Sequence, residues 1–405
     1  MKKAWSGNLI TQIMVAFAIA IIVGIIAGTS AETVKPLGDL FLRLIKFIIV
    51  PLVLASLVTG VSSTGDVRKL GRMGGKTIAY YLVTTALAVI LGLIIASLMS
   101  PGAGLELKPE EARVEAKETP GIIDTLLAII PTNPFAALVQ GDMLPIIFFA
   151  IFLGIGISLA GEKARTVQLF FEQFAEVMYK ITGIVMRFAP IGVFGLVAPI
   201  VGKYGLSVLL PLSKVILGVA IGCLLHAVIV YSLSVKLFAG MKPLQFFKGI
   251  APAGMIAFST SSSSGTLPIT IQNVESNLGV SKRVSSFVLP LGATINMDGT
   301  ALYQGVCALF VAQFYGIDLS FAQLLTIVLT ATLASIGTAG VPGAGLIMLT
   351  MVLTSVGLPL EGMALIAGVD RILDMFRTSV NVIGDASAAV VVASSEGELE
   401  QSVHV

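Results

Sequence analysis

The sequence predicts an all-α integral membrane fold of eight membrane-spanning helices and two re-entrant helical hairpins, and three observations carry that prediction. Hydrophobic residues occupy 56% of the 405 positions and charged residues only 12%, with a mean hydropathy of +0.98, more apolar surface than a soluble core can hide. Charge-free windows matching the roughly 20 residues of a spanning helix recur along the chain. Two such windows are broken midway by small residues.

The expected spans are 4–31, 47–65 with the amphipathic turn before it, 77–105, 143–161, 188–202 with its flanks, 215–235, 299–317 and a last helix from Glu361 to about Ser395. The first is too long for a signal-peptide core. Lys2 and Lys3 precede it, and Arg68, Lys69, Arg72 and Lys76 follow the second span. Loop 106–118 instead carries Glu106, Glu110, Glu111, Glu115 and Glu118 against three basic residues. Basic loops collect on the cytoplasmic side, so both termini are expected there, with Lys236, Lys242, Lys248, Lys282 and Arg283. A net charge of +2, from 25 basic and 23 acidic residues, gives no sign of a nucleic-acid surface. Cys223 and Cys307 lie inside apolar runs and read as small core residues.

The first broken window, 249–274, holds Ser259, Thr260, Ser261, Ser262, Ser263, Ser264 and Gly265 at its centre. The second, 319–360, is interrupted by SIGTAGVPGAG from Ser335 to Gly345. Each reads as two half-length helices joined by a tip, and irregular backbone is tolerated at membrane depth only where protein buries it or where it lines a cavity. A flexible linker is the alternative for the serine run, and a plain loop for the second. The recurrence of such segments points to inverted repeats around a binding site.

Between them lies PLGATINMDGTALYQG, 290–305, with Asp298 in the middle of a run otherwise free of charge. An ionised carboxylate there is costly without a cation or a partner. Gly292 and Gly299 are expected to let the backbone unwind and offer carbonyls, an oxygen set suited to a hard cation. A carboxylate tied to helix ends is the structural alternative. On the last helix, at about 100° per residue, Asp370, Asp374, Arg377, Asn381 and Asp385 share one third of the circumference, with Thr378 at its edge. That stripe is read as facing a protein interior. The structural alternative is an ion-pair ladder through Arg371–Asp374, Asp374–Arg377 or Arg377–Asn381.

These motifs, SSSSGTLP at 261–268, NMDGT at 296–300, GTAGVPGAG at 337–345 and DMFRTSVNVIGD at 374–385, resemble those of the dicarboxylate/amino acid:cation symporters, the group of the excitatory amino acid transporters and their archaeal and bacterial glutamate and aspartate homologues. The similarity runs from the first helix to GDASAAVVVASSEGE at 384–398. It implies a sodium-coupled carrier of aspartate or glutamate in the cell membrane, a homotrimer and not an enzyme. A fixed part for trimerisation (1–76 and 106–200) would hold a mobile part (77–105 and 204–395) that slides as an elevator, with 396–405 as an acidic tail. By the same resemblance Asp374 binds the substrate ammonium and Arg377 its side-chain carboxylate. Thr300, Thr378 and Asn381 add hydrogen bonds, while Ser262, Ser263, Val341 and Gly345 at the hairpin tips hold the α-carboxylate. Three sodium sites are implied: Gly292, Asn296 and Asn381 with Asp385; Thr294, Ser335, Ile336 and Thr338; and Tyr81, Thr84, Thr85 and Asn296 with Asp298.

The chain departs from the archaeal pattern by having Ser261 where those carriers have arginine, and Arg371 where they have none; bacterial members show Arg371. Both placements can bring a guanidinium to one site. Proton-coupled bacterial members often have asparagine at the place of Asp385, so that residue favours sodium. Asp374 argues against a C4-dicarboxylate carrier and Arg377 against a neutral amino acid carrier. A channel remains the rival of another class, whereas a membrane enzyme finds no metal cluster, nucleophile–base set or cofactor fingerprint, and His226 and His404 read as isolated.

Overall fold

The computed structural model describes residues 9–62, 67–103, 127, 130–205, 209–336, 338 and 343–400, and within them every named element is helical. α1 (Leu9–Ala27) continues through a 3₁₀ stretch (Gly28–Val34) into α2 (Lys35–Ser62), followed by α3 (Val67–Met99), α4 (Pro134–Gln140), α5 (Met143–Ala160), α6 (Arg165–Met186) and α7 (Ala189–Tyr204). α8 (Leu209–His226) passes through a π-turn (Ala227–Tyr231) into α9 (Ser232–Ala239). The first broken window folds as α10 (Pro243–Thr260) and α11 (Ser263–Leu278). α12 (Lys282–Ile295) and α13 (Asp298–Phe314) follow, then α14 (Phe321–Ala334) and α15 (Ala344–Ser355) from the second broken window, and α16 (Met363–Glu396) closes the fold.

Four stretches are long and apolar enough to cross a bilayer: Val15–Phe41, Arg72–Met99, Pro145–Val185 and Leu210–Ala239. The chain is therefore a multi-pass membrane protein. The other expected spans are helices that are shorter or more polar, α16 being polar because its stripe faces protein. The acidic loop 106–118, Lys2, Lys3 and His404 lie outside the described residues. Two helices were not anticipated, the short α4 and the long α6. α6 follows α5 after a short 3₁₀ turn, and its charged side, with Glu176 and Lys180 paired at 3.1 Å, kept it out of the charge-free windows.

α1 packs along α7, and α2 lies against α5, α6 and α7. A second set surrounds α16: α10, α11, α12 and α13 pack on it directly, while α3 packs along α13. That last contact is backbone-close, since a Cβ on Gly92 of α3 would strike the Leu302 carbonyl oxygen. Glycine there lets two helices approach so that side chains deeper on α3 reach the centre of the fold.

The C-terminal end of α16 is clasped by cations from two other elements. Arg72 grips Glu396 through Nε at 3.1 Å and Nη2 at 2.9 Å, and Lys76 Nζ adds a contact of 2.6 Å. Arg283 Nη1 pairs with Glu398 at 2.9 Å, and the Glu400 amide donates to the Gly279 carbonyl at 2.8 Å. Basic residues that the charge pattern assigns to one side of the membrane thus meet at one end. The hydrogen bonds from Arg72 and Lys76 hold the Glu396 carboxyl down, from an ordinary 4.5 to about 2. A carboxyl depressed on folding stabilises above its ordinary value, and this is lost as pH falls toward 2. Glu396→Gln should therefore lower the thermal midpoint of the purified protein at pH 7, and the gap to the parent should narrow as pH is brought from 5 to 3. A gap independent of pH would count against the clasp.

Candidate substrate and cation site

α16 supplies the polar floor of the site. Its stripe is buried from Asp370 to Asp385, and Arg377 is fully enclosed at 0% exposure. The guanidinium donates from Nη1 to Asp370 Oδ1 at 2.8 Å and from Nη2 to Asp374 Oδ1 at 2.7 Å. It also lies 4.1 Å from the centre of the Tyr303 ring, a cation–π distance. Asp374 Oδ2 accepts the Gly343 amide of the second hairpin at 3.1 Å. Of the possible ladder pairs, Asp374–Arg377 forms. Arg371 instead reaches the Ser259 carbonyl at 3.1 Å, beside the first hairpin's tip. Asn381 turns to α13, accepting the Gly299 amide at 2.8 Å and donating to Thr300 Oγ1 at 3.3 Å.

The first hairpin's tip is Ser261–Ser262. Ser261 ends α10 in the left-handed region, φ +52°, and Ser262 caps α11 by accepting the Gly265 amide at 3.0 Å. Most of the second tip, including Gly340 and Val341, lies outside the described residues. Between the tips, α12 and α13 are parted at Asn296 and Met297, whose backbone is non-helical. The expected unwinding is therefore real, but Gly292 and Gly299 lie within the helices beside it. They serve close approach: a Cβ at Gly292 would strike Asp385 Oδ1, and one at Gly299 the Arg377 backbone.

A narrow, partly open cleft, its free volume only about 10 Å³, lies where these elements converge. Ser261 and Ser263 come from the first hairpin, Met297 and Thr300 from the helix break, Thr338, Ala344 and Gly345 from the second hairpin, and Asp374, Thr378 and Asn381 from α16. Six residues expected to touch substrate share this wall: Ser263, Thr300, Gly345, Asp374, Thr378 and Asn381. Ser262 lies at the tip but does not line the cleft, and Arg377 is shut behind Gly345, where an added Cβ would sit 2.9 Å from its Cζ.

Hydrogen bonds join some members of two of the three expected cation sets. Asn296 Nδ2 donates to Asp385 Oδ1 at 2.9 Å and to the Asn381 carbonyl at 3.3 Å, leaving Asn296 Oδ1 buried without a partner. Asp298 Oδ1 accepts Thr85 Oγ1 at 2.6 Å. Nearby, Thr84 donates to the Tyr81 carbonyl at 3.2 Å and Tyr81 to that of Val288 at 3.1 Å. Buried carboxylates, amide oxygens and hydroxyls form an oxygen set fit for a small hard cation. The remaining set is not drawn together. Thr294 is exposed and bonds back to Leu291, Ser335 to Thr332 and Thr338 to Ala334, and among the described residues no hydrogen bond joins Thr294 to Ser335, Ile336 or Thr338.

Sequence reasoning overlooked three partners and misread one. Asp370 was placed on the stripe but given no role, and Tyr303 and Tyr231 were not singled out. His226 is not isolated: it is fully buried, with Nε2 3.3 Å from Asp298 Oδ2. An ionisable side chain in the charge-free window 215–235 was the available signal.

With this geometry in hand, relatives can be compared. A family profile described as the sodium:dicarboxylate symporter family matches residues 9–395. A proton/sodium-glutamate symport protein of Geobacillus stearothermophilus is 41% identical, over 96% of this chain and 95% of its own length. A proton/glutamate-aspartate symporter of Escherichia coli is 40% identical, over 97% and 94%, and a C4-dicarboxylate transport protein of Bacillus subtilis is 38% identical, over 98% and 95%. Near-complete coverage, the paired helical hairpins and the charged stripe on α16 lead to one conclusion: the chain belongs to the sodium:dicarboxylate symporter family.

Proposed function

We propose that this protein is a symporter importing aspartate or glutamate with sodium. The observation that carries this reading is the cleft wall built from both hairpins, the helix break and α16, with Asp374 on its surface and Arg377 behind it. A buried guanidinium and a buried carboxylate match the two ends of an acidic amino acid: the planar fork takes a carboxylate in two hydrogen bonds, and Asp374 takes the ammonium. In the described state Asp370 and Asp374 occupy that fork. The substrate's side-chain carboxylate takes the place of one of them, while its ammonium satisfies the aspartate released. Gly345 stands between cleft and guanidinium, so the second hairpin has to yield for the exchange and acts as the gate on the acidic-loop side.

Sodium is preferred over a proton because Asp385 stands where proton-coupled members of the resembled family often have asparagine, and because Asp298 lies buried beside the Thr85 hydroxyl. The eight-span topology, the division into a trimer-forming scaffold and a sliding transport part, and cytoplasmic termini belong to the same proposal. In support, α1, α2, α5, α6 and α7 pack on one another, and α3 and α10–α13 gather about α16. The relatives' names span glutamate, aspartate and C4-dicarboxylate substrates, and Asp374 favours an amino acid over a dicarboxylate.

Three experiments test this. Arg377→Cys removes the partner of a buried carboxylate, a change costing on the order of 3–5 kcal/mol, or several hundredfold or more in affinity. Calorimetry with sodium present should find aspartate and glutamate binding lost and serine or alanine binding gained. Aspartate binding within about tenfold of the parent, or a parent that prefers succinate, would remove the assignment of Arg377 and Asp374. Gly345→Ala should displace the guanidinium and slow uptake into liposomes, and normal uptake would argue against the gate. Asp385→Asn should raise the sodium concentration needed for half-maximal aspartate binding; an unchanged sodium dependence would point to another coupling ion.

A further inference from the structure

The helix from Leu209 to Ala239 is regular except at its π-turn, Ala227–Tyr231. Residues five apart on an α-helix point about 140° away from each other. A π-turn, which closes i onto i+5, brings them back to one face. The pair aligned in this way is His226 and Tyr231, both fully buried, with their rings edge-to-face at 4.9 Å. Both reach the same atom: Tyr231 donates its hydroxyl to Asp298 Oδ2 at 2.8 Å, and His226 Nε2 lies 3.3 Å from that oxygen. A carboxylate oxygen accepts, so Nε2 is the donor in this contact, while Nδ1 is buried without a partner. Gly384 on α16 leaves the room this requires, since a Cβ there would stand 2.5 Å from the Tyr231 hydroxyl.

The two oxygens of Asp298 are therefore treated differently. Oδ2 is held by two donors on one rigid turn, whereas Oδ1 has Thr85, whose hydroxyl can rotate to offer a lone pair instead. We propose that His226 and Tyr231 are positioning residues for the cation site: they hold Asp298 by Oδ2 so that Oδ1 is presented, with Thr85, to sodium. This rests on the reading of Asp298 as a cation ligand and assigns it two supporting side chains. Ligand-orienting partners of this kind set cation affinity without touching the ion, and their loss costs 10–100-fold.

The test uses the full-length protein in detergent, with aspartate binding measured by calorimetry at stepped sodium concentrations. His226→Phe and Tyr231→Phe should each raise the half-saturating sodium concentration about tenfold, with aspartate affinity restored at saturating sodium. His226→Gln, whose amide can still donate to Oδ2, should recover most of the loss, a rescue that a purely packing role would not give. Thermal unfolding without sodium identifies variants damaged in folding, and Thr85→Val, which removes the hydroxyl from Oδ1, then provides a second measure of how that oxygen is used. Asp298→Asn separates the two levels. If it leaves sodium dependence unchanged, the cation-site reading itself fails. If it abolishes sodium dependence while His226→Phe and Tyr231→Phe behave as the parent, the positioning role alone is overturned.

Discussion

A guanidinium at 0% exposure inside a membrane-embedded helix packet is the constraint around which the rest of this structure is arranged. Left unpaired it would cost several kcal/mol, so two carboxylates, Asp370 and Asp374, and the face of Tyr303 are brought to it. These groups in turn fix the rotation of α16. Once Arg377 faces Tyr303, residues one and two turns further along the same stripe, Asn381 and Asp385, must face the break between α12 and α13. The hydrogen bonds from Gly299 to Asn381 and from Asn296 to Asp385 follow from that orientation.

The arrangement explains why substrate and cation binding would depend on each other. Asp370 and Asp374 pair with the one buried guanidinium, Asp298 and Asp385 lie buried elsewhere along the site, and Arg371 adds its charge only at the rim beside Ser259. Such a site repels a second anion. An acidic amino acid carries a net negative charge, so its entry becomes favourable only when cations offset the carboxylates first, or together with it. Coupling of that kind would arise from electrostatics in a medium of low dielectric and would need no direct contact between substrate and ion.

What the sequence made legible was whatever lay in a period or an interruption. The α16 stripe follows the helical repeat, so Asp374 and Asn381, with Thr378 at the edge, could be placed on one face of the helix, and all three line the cleft. The serine run and the break at Asn296 and Met297 were visible because polar or small residues interrupted apolar windows. The amphipathic α6 was missed because its charges conceal its apolar face from a search for charge-free runs. Partners of Asp298 were missed for another reason: His226 and Tyr231 are spaced five apart, which on an α-helix places them on different faces. Only a local change of helix geometry unites them. The glycines beside Asp298 were recognised as significant but assigned the wrong physical role, because a sequence does not distinguish a glycine needed for backbone freedom from one needed to admit a neighbouring side chain.

Three departures from α-helical backbone lie close to α16: the left-handed Ser261 at the first hairpin, the break at Asn296 and Met297, and the π-turn at Ala227–Tyr231. The left-handed serine costs on the order of 1–3 kcal/mol. All three adjoin side chains that meet α16: Ser261 lines the cleft with Asp374, Asn296 bonds Asp385, and Tyr231 reaches both Asp298 and the Val380 carbonyl. The break at Asn296 and Met297 and the π-turn give up regular helix where donors are needed at defined points, beside Asp385 and Asp298. An uninterrupted helix in the same position would bury its amides and carbonyls in its own hydrogen bonds, leaving an ion only side chains to bind.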